Sequence, residues 1–122
     1  MTLDGYNSFC ASLPSTTHVV QWGGAHVWKV GGKVFAIAGW SEGRDLAVTF
    51  KCSAASFEVL KEQPGLRPAP YLAARGMSWI QRQSDASMDE AALCDYLRAS
   101  HRLVAAGLPR KVRLDLGLAL TD

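Results

Sequence analysis

The sequence predicts a single α+β domain, an antiparallel sheet packed by an N-terminal and a C-terminal helix. Three observations carry that prediction. Apolar residues recur at three- and four-residue steps near the N-terminus and again between Leu93 and Leu108, which is helical spacing. The stretch between His18 and Lys51 changes to alternation broken by glycine pairs, which is strand and turn spacing. The 122 residues fit one domain, and such a chain buries enough surface to need no covalent staple.

Thr2 is placed to cap a first helix running to about Ser12, with Leu3, Tyr6, Phe9, Cys10 and Leu13 on one face and Pro14 as its stop. Val19 to Trp22 then reads as a short strand broken by Gly23-Gly24. Ala25–Val30 and Lys33–Trp40 flank Gly31-Gly32, a two-residue hairpin signal. That turn sets Val30 opposite Lys33, Trp28 opposite Phe35 and His26 opposite Ile37. Side chains alternate faces, so His26, Trp28, Phe35 and Ile37 are expected on one side, and Val27, Lys29, Val34 and Ala36 on the other.

Asp45–Lys51 extends the meander by a further strand. Ser53 reads as the cap of a second helix through Glu62, ended by Pro64-Gly65. Leu66 to Ala74, with Pro68 and Pro70, reads as an ordered loop, and Met77 to Gln83 as another strand. Ser87 and Glu90 fit a capping box ahead of the third helix, which Gly107 and Pro109 close. Residues 1–111 make the domain. Residues 112–122 form a C-terminal tail in which Val112, Leu114, Leu116, Leu118 and Leu120 alternate with smaller or polar residues. This is strand periodicity, able to add a strand to the sheet or to pair with a second copy; a flexible end is the third alternative, and order is favoured because exposed alternating apolar residues would invite aggregation.

Composition removes several function classes. Cys10, Cys52 and Cys94 are far apart and form no CxxC pair, so neither a disulfide framework nor a zinc site is expected. The N-terminus has no basic start followed by an apolar run, and no stretch approaches a membrane span. A cytoplasmic protein without a membrane partner is the expectation. His18, His26 and His101 stand at no metal-ligand spacing, and there is no GxSxG, Walker loop or paired-carboxylate arrangement. No catalytic residue, metal or cofactor is therefore assigned. Cys52, beside Ser53 at a helix start, has the placement of a thiol with a lowered pKa, although a Cys at such a strand end more often serves plain packing.

Some segments resemble a known family. Val27-Trp28-Lys29-Val30-Gly31-Gly32-Lys33-Val34-Phe35-Ala36 resembles the hairpin of MmcQ/YjbR-like proteins, as does Thr49-Phe50-Lys51-Cys52 ahead of the second helix. Arg67-Pro68-Ala69-Pro70-Tyr71-Leu72 followed by Trp79-Ile80 resembles that family's proline-tyrosine loop and tryptophan strand. Ser100-His101-Arg102-Leu103-Val104 with Leu108-Pro109-Arg110-Lys111 resembles its closing helix. The resemblance implies an α+β fold of the frataxin-like (CyaY-like) superfamily and a description as DNA-binding. An iron role of frataxin type needs clustered carboxylates, and the first helix offers only Asp4.

Net charge is +2, too small to imply a nucleic-acid partner alone. Its distribution is more informative. No acid falls between Glu62 and Asp85, whereas Arg67, Arg75 and Arg82 do, interleaved with Tyr71 and Trp79. With Lys29, Lys33 and Lys51 these residues form a candidate nucleic-acid surface, cations for phosphates and rings for bases. The expectation is a non-enzymatic binding module for DNA, its oligomeric state open between monomer and homodimer. Alternatively, Trp22, Trp28, Trp40 and Trp79 line an aromatic cleft for a small ligand or a protein partner. The plainer account is that the lysines mark a solvated sheet face and the aromatics fill a core.

Overall fold

The computed structural model describes residues 1–41, 45–70, 72 and 77–118. Helix α1 (Leu3–Ser12) leads into strands β1 (Thr16–Gln21), β2 (Ala25–Val30), β3 (Lys33–Ala38) and β4 (Val48–Lys51). Helix α2 (Ala54–Leu60) carries the chain to β5 (Leu66–Pro68), which turns back into β6 (Trp79–Arg82). Helices α3 (Glu90–Ala106) and α4 (Arg110–Leu116) complete the described chain. The strands form one antiparallel sheet in the order β1-β2-β3-β4-β6-β5. After β4 the chain thus crosses to the far edge through α2 and returns to fill the gap with β6.

Helices cover one face of this sheet. Cross-strand rows Ala38, Val48, Arg82, Leu66 and Ala36, Phe50, Ile80, Pro68 point that way. Their apolar members pack with Tyr6 and Cys10 of α1 and Leu93, Leu97 and Val104 of α3 in the main core. Tyr6 also donates its hydroxyl to the His26 carbonyl at 2.8 Å, so a buried phenol is satisfied while it ties α1 to β2. The row Val27, Ile37, Thr49, Gln81, Arg67 points to the opposite face.

The hairpin register differs from the expected one. Val30 does oppose Lys33 across Gly31 and Gly32, which take φ of 57° and 79°, the left-handed backbone a two-residue turn of this hand requires. A register shift between Trp28 and Lys29 then inserts Phe35 as an extra residue, so Trp28 faces Ala36 and His26 faces Ala38. Phe35 and Ala36 therefore both enter the main core, and Ile37 joins Val27 and Val34 on the other side. A bulge has no marker in alternation, which assumes an unbroken pleat.

Four further expectations change. Residues 66–68 form a strand rather than a loop, and Pro68 is accommodated because β5 is an edge strand. The strand before α2 spans only Val48–Lys51, not from Asp45. The cap of α3 is Asp89, whose carboxylate accepts from Ala92 N–H at 2.7 Å, rather than Ser87. The tail is a helix, not a strand. Pro109 starts α4 and Gly117 ends it at φ 71°, with the Leu118 amide returning to the Arg113 carbonyl. Val112 and Leu118 lie against the main core, and Ser15 Oγ donates to the Leu116 carbonyl. Residues 119–122, Leu120 among them, lie outside the described residues. No described helix is long and apolar enough to cross a membrane.

Candidate ligand groove

The sheet opens where α3 crosses it. Beyond the Ala36–Phe50 pair, β3 and β4 exchange no further ladder bonds. Ser100 of α3 fills the split. Its hydroxyl donates to the Phe35 carbonyl at 2.7 Å and accepts from the Lys51 amide at 2.8 Å. A side chain thereby supplies the donor and acceptor that a neighbouring strand would have given. His101, the next residue, packs its ring edgewise on Phe35 and donates Nε2–H to the Pro14 carbonyl at 2.8 Å, a structural role.

A groove of about 340 Å³ is lined both by residues of the opposite sheet face and by the last turns of α3. Val34 and Ile37 of β3, Lys51 of β4 and Trp79 of β6 line it. The remaining lining residues are Trp22, Lys33, Leu72, Met77, Leu103, Val104 and Gly107. The volume falls at the lower end of small-ligand sites. Mostly apolar walls with a few polar groups are the usual composition of such sites.

Three features of the groove bear on chemistry. Lys51 and Trp79 are direct cross-strand partners, so their side chains are neighbours on one face. Among the described residues no acid pairs with Lys33 or Lys51. Trp79 is 4% exposed, yet its Nε1–H has no hydrogen-bond partner. An indole N–H can only donate, and leaving one buried and unpaired costs about 1–3 kcal/mol. Thr49 Oγ1, buried on the same face, is likewise unpartnered. Trp22 adds strain. Trp22 and Trp40 have φ of 54° and 60°, a left-handed backbone unusual for bulky residues, and their rings lie 6.0 Å apart.

The residues expected from sequence are distributed as follows. Lys33, Lys51 and Trp79 line the groove. Lys29 and Arg67 share its face by register, and Arg67 donates Nε–H to Gln81 Oε1 at 2.6 Å. Arg82 does not belong to this surface. It is fully buried on the helix-covered face, where its guanidinium pairs with Asp85 and donates to the Met88 carbonyl. Tyr71 and Arg75 lie outside the described residues. Of the aromatic-cleft set, Trp22 and Trp79 line the groove and Trp40 stands against Trp22, but Trp28 is in the opposite core and donates Nε1–H to Asn7 at 2.9 Å. Sequence reasoning missed Val34, Ile37, Leu72, Met77, Leu103 and Gly107, ordinary apolar or small residues whose role depends on long-range packing.

Cys52 is buried, and burial pushes its thiol up to about 11, the reverse of an activated nucleophile. His18 and His26 form a hydrogen-bonded pair, 3.0 Å between ring nitrogens, with His18 stacked on Trp28 away from the groove. No cluster of three or more metal-ligating side chains occurs among the described residues.

The family model of YjbR matches residues 11–103, most of the chain. The chain belongs to the YjbR family. The fold of this YjbR-family chain is also that of a solved structure. The crystal structure of a Deinococcus radiodurans protein with a DUF419 domain is similar over 97% of this chain and 89% of its own, with a TM-score of 0.81 and 23% identity. That identity establishes a shared fold and nothing further. No match was found among the curated proteins.

Proposed function

We propose that this YjbR-family chain is a binding module rather than a catalyst, and that the groove along β3 is its small-ligand site. The observation that carries the reading is the mostly apolar groove of about 340 Å³, which also presents Lys33 and Lys51, neither of them paired with an acid among the described residues. Concave, mostly apolar pockets with a few polar groups are the usual form of small-ligand sites. The test is a ligand-observed NMR screen of organic fragments against the chain and a groove-filled variant, Val34→Trp. Fragments that bind the chain and lose binding to the variant support the reading. Binding unaffected by the variant sinks it.

A second reading, binding of DNA, is favoured by a different observation. Lys29, Lys51 and Arg67 project from one face of the sheet by register, with Lys33 at its hairpin end. Titration of single-stranded and duplex DNA at rising salt separates the two readings. A DNA site requires affinity that falls steeply with salt. Its slope should shrink by about 0.9 for each phosphate that Lys29→Glu or Lys33→Glu leaves unneutralised. The Val34→Trp variant, which keeps every cation, should leave such binding largely intact.

A further inference from the structure

The charges on the sheet narrow what the groove takes. None of the six strands holds an acidic residue, whereas together they carry Lys29, Lys33, Lys51, Arg67 and Arg82. We infer that the groove binds a small amphipathic organic anion, a compact apolar body whose carboxylate or phosphate headgroup is met by Lys33 and Lys51. This inference rests on the groove being the ligand site, and adds the class of ligand.

Arg82 is buried on the helix-covered face and paired with Asp85, so it offers no charge to the groove. The other four cations do. Lys29, Lys51 and Arg67 share the uncovered face by register, and Lys33 stands at its hairpin end. Charges of one sign beside a concave apolar wall focus the field and concentrate ions of the opposite sign. Among the described residues, Lys33 and Lys51 are the charged members of the lining, and no carboxylate stands with them. Lys33 is exposed and Lys51 half-buried, and neither pairs with an acid among the described residues. Each is a flexible stem ending in a compact charge, so both ammoniums can swing onto an anion at the groove mouth while their stems stay on the apolar wall. At half-buried Lys51 an ion pair is screened less than on open surface.

The apolar share of the lining sets the rest of the ligand. Val34, Ile37, Leu72, Met77 and Leu103 present hydrocarbon. A bare inorganic anion would leave that wall facing water, whereas an apolar body covers it. A neutral body would forgo the charge-assisted bond, and a cation would be repelled. The volume of about 340 Å³ equals roughly eleven waters at about 30 Å³ each, room for a body of about ten non-hydrogen atoms with its headgroup at the mouth.

The two isoleucines of the chain report on the two faces of the sheet. Ile37 lines the groove, and Ile80 is buried in the main core on the helix-covered face. Four probes with one ring system, naphthoate, naphthyl phosphate, the neutral naphthamide and the cationic naphthylmethylammonium, are titrated into the full chain with its isoleucine methyls labelled for NMR. The Ile37 signal should move on binding and the Ile80 signal should stay. Naphthoate or naphthyl phosphate should bind at least about tenfold more tightly than naphthamide, and the ammonium probe more weakly than the amide. Whichever acid binds more tightly identifies the headgroup. In the double variant Lys33→Met, Lys51→Met the preference for acid over amide should fall below about threefold, while naphthamide binding changes little. The double variant Lys33→Arg, Lys51→Arg keeps both charges and should retain the preference. Equal binding of acid and amide, a preference that survives the methionine variant, or an equal loss in the arginine variant overturns the inference and leaves the groove reading standing. If none of the four probes moves the Ile37 signal, the inference is overturned together with that reading.

Discussion

Arg82 is the residue whose sequence context is most misleading. It ends a stretch without acids that contains aromatics, the composition of a nucleic-acid surface, yet its side chain is fully buried. Its Nε and Nη2 donate to the Met88 carbonyl at 3.1 and 2.6 Å, and its Nη1 pairs with Asp85 at 2.8 Å. The Met1 ammonium first, and Arg82 second, hold the Asp85 carboxyl below its ordinary range. Arg82 thus pins the turn between β6 and α3 from beneath. Arg82→Met keeps the apolar stem but orphans the Met88 carbonyl, and should lower stability by about 1–3 kcal/mol in urea unfolding. Arg82→Ala adds a cavity and should cost more. If Arg82→Met unfolds like the parent chain, the guanidinium does not anchor this turn. Alternation would have placed Arg82 correctly, since it follows Gln81 and so must face away from the groove. The direction of either face could not be known until the neighbours of β6 were.

Elements that the sequence punctuates were legible, and those set by distant partners were not. Thr2 and Ser53 cap their helices as expected, with hydrogen bonds of 3.0 and 3.1 Å, and the Gly31-Gly32 hairpin forms where its glycines stand. The α4 region carried its own stop signals, Pro109 and Gly117, but five alternating apolar residues outweighed them. Over seven residues that alternation also places Val112 and Leu116 four apart, which suits a helix equally. The strand split is the element with the largest consequence and the least sequence trace, because one hydroxyl creates it. Ser100→Ala leaves the Phe35 carbonyl and the Lys51 amide without a partner at a buried point. Each orphan costs about 1–3 kcal/mol, so a loss of about 2–6 kcal/mol is expected from urea or thermal unfolding. A change under about 0.5 kcal/mol, typical of a surface substitution, would mean that the strands close on one another without it.

At the scale of the whole molecule, the α+β class followed from local periodicity, but the strand order did not. Placing β6 between β4 and β5 is a long-range pairing, and it alone brings Lys51 beside Trp79. The same packing gives the fold a pH limit on its alkaline side. Burial pushes the Cys10 thiol up to about 12 and that of Cys52 up to about 11, and raises the Tyr6 phenol as well. In the unfolded chain the thiols lose their protons near an ordinary value of about 8.5, while the folded chain keeps them. Above that point the unfolded state binds fewer protons than the folded one, so unfolding becomes more favourable as pH rises. The stabilising effect of burying neutral thiols is therefore whole below about pH 8 and is lost progressively toward the folded values. Each such group contributes a slope of about 1.4 kcal/mol per pH unit, so the two thiols together approach about 2.8 between about pH 9 and 11. Urea midpoints measured from about pH 7 to 10.5 should be level at first and then fall, with the thiols contributing ahead of Tyr6. The double variant Cys10→Ala, Cys52→Ala should start less stable, through lost packing, but fall far less steeply over that window. A level profile in the parent chain, or an equal slope in the variant, would show that these thiols titrate in the folded state as freely as in the unfolded one.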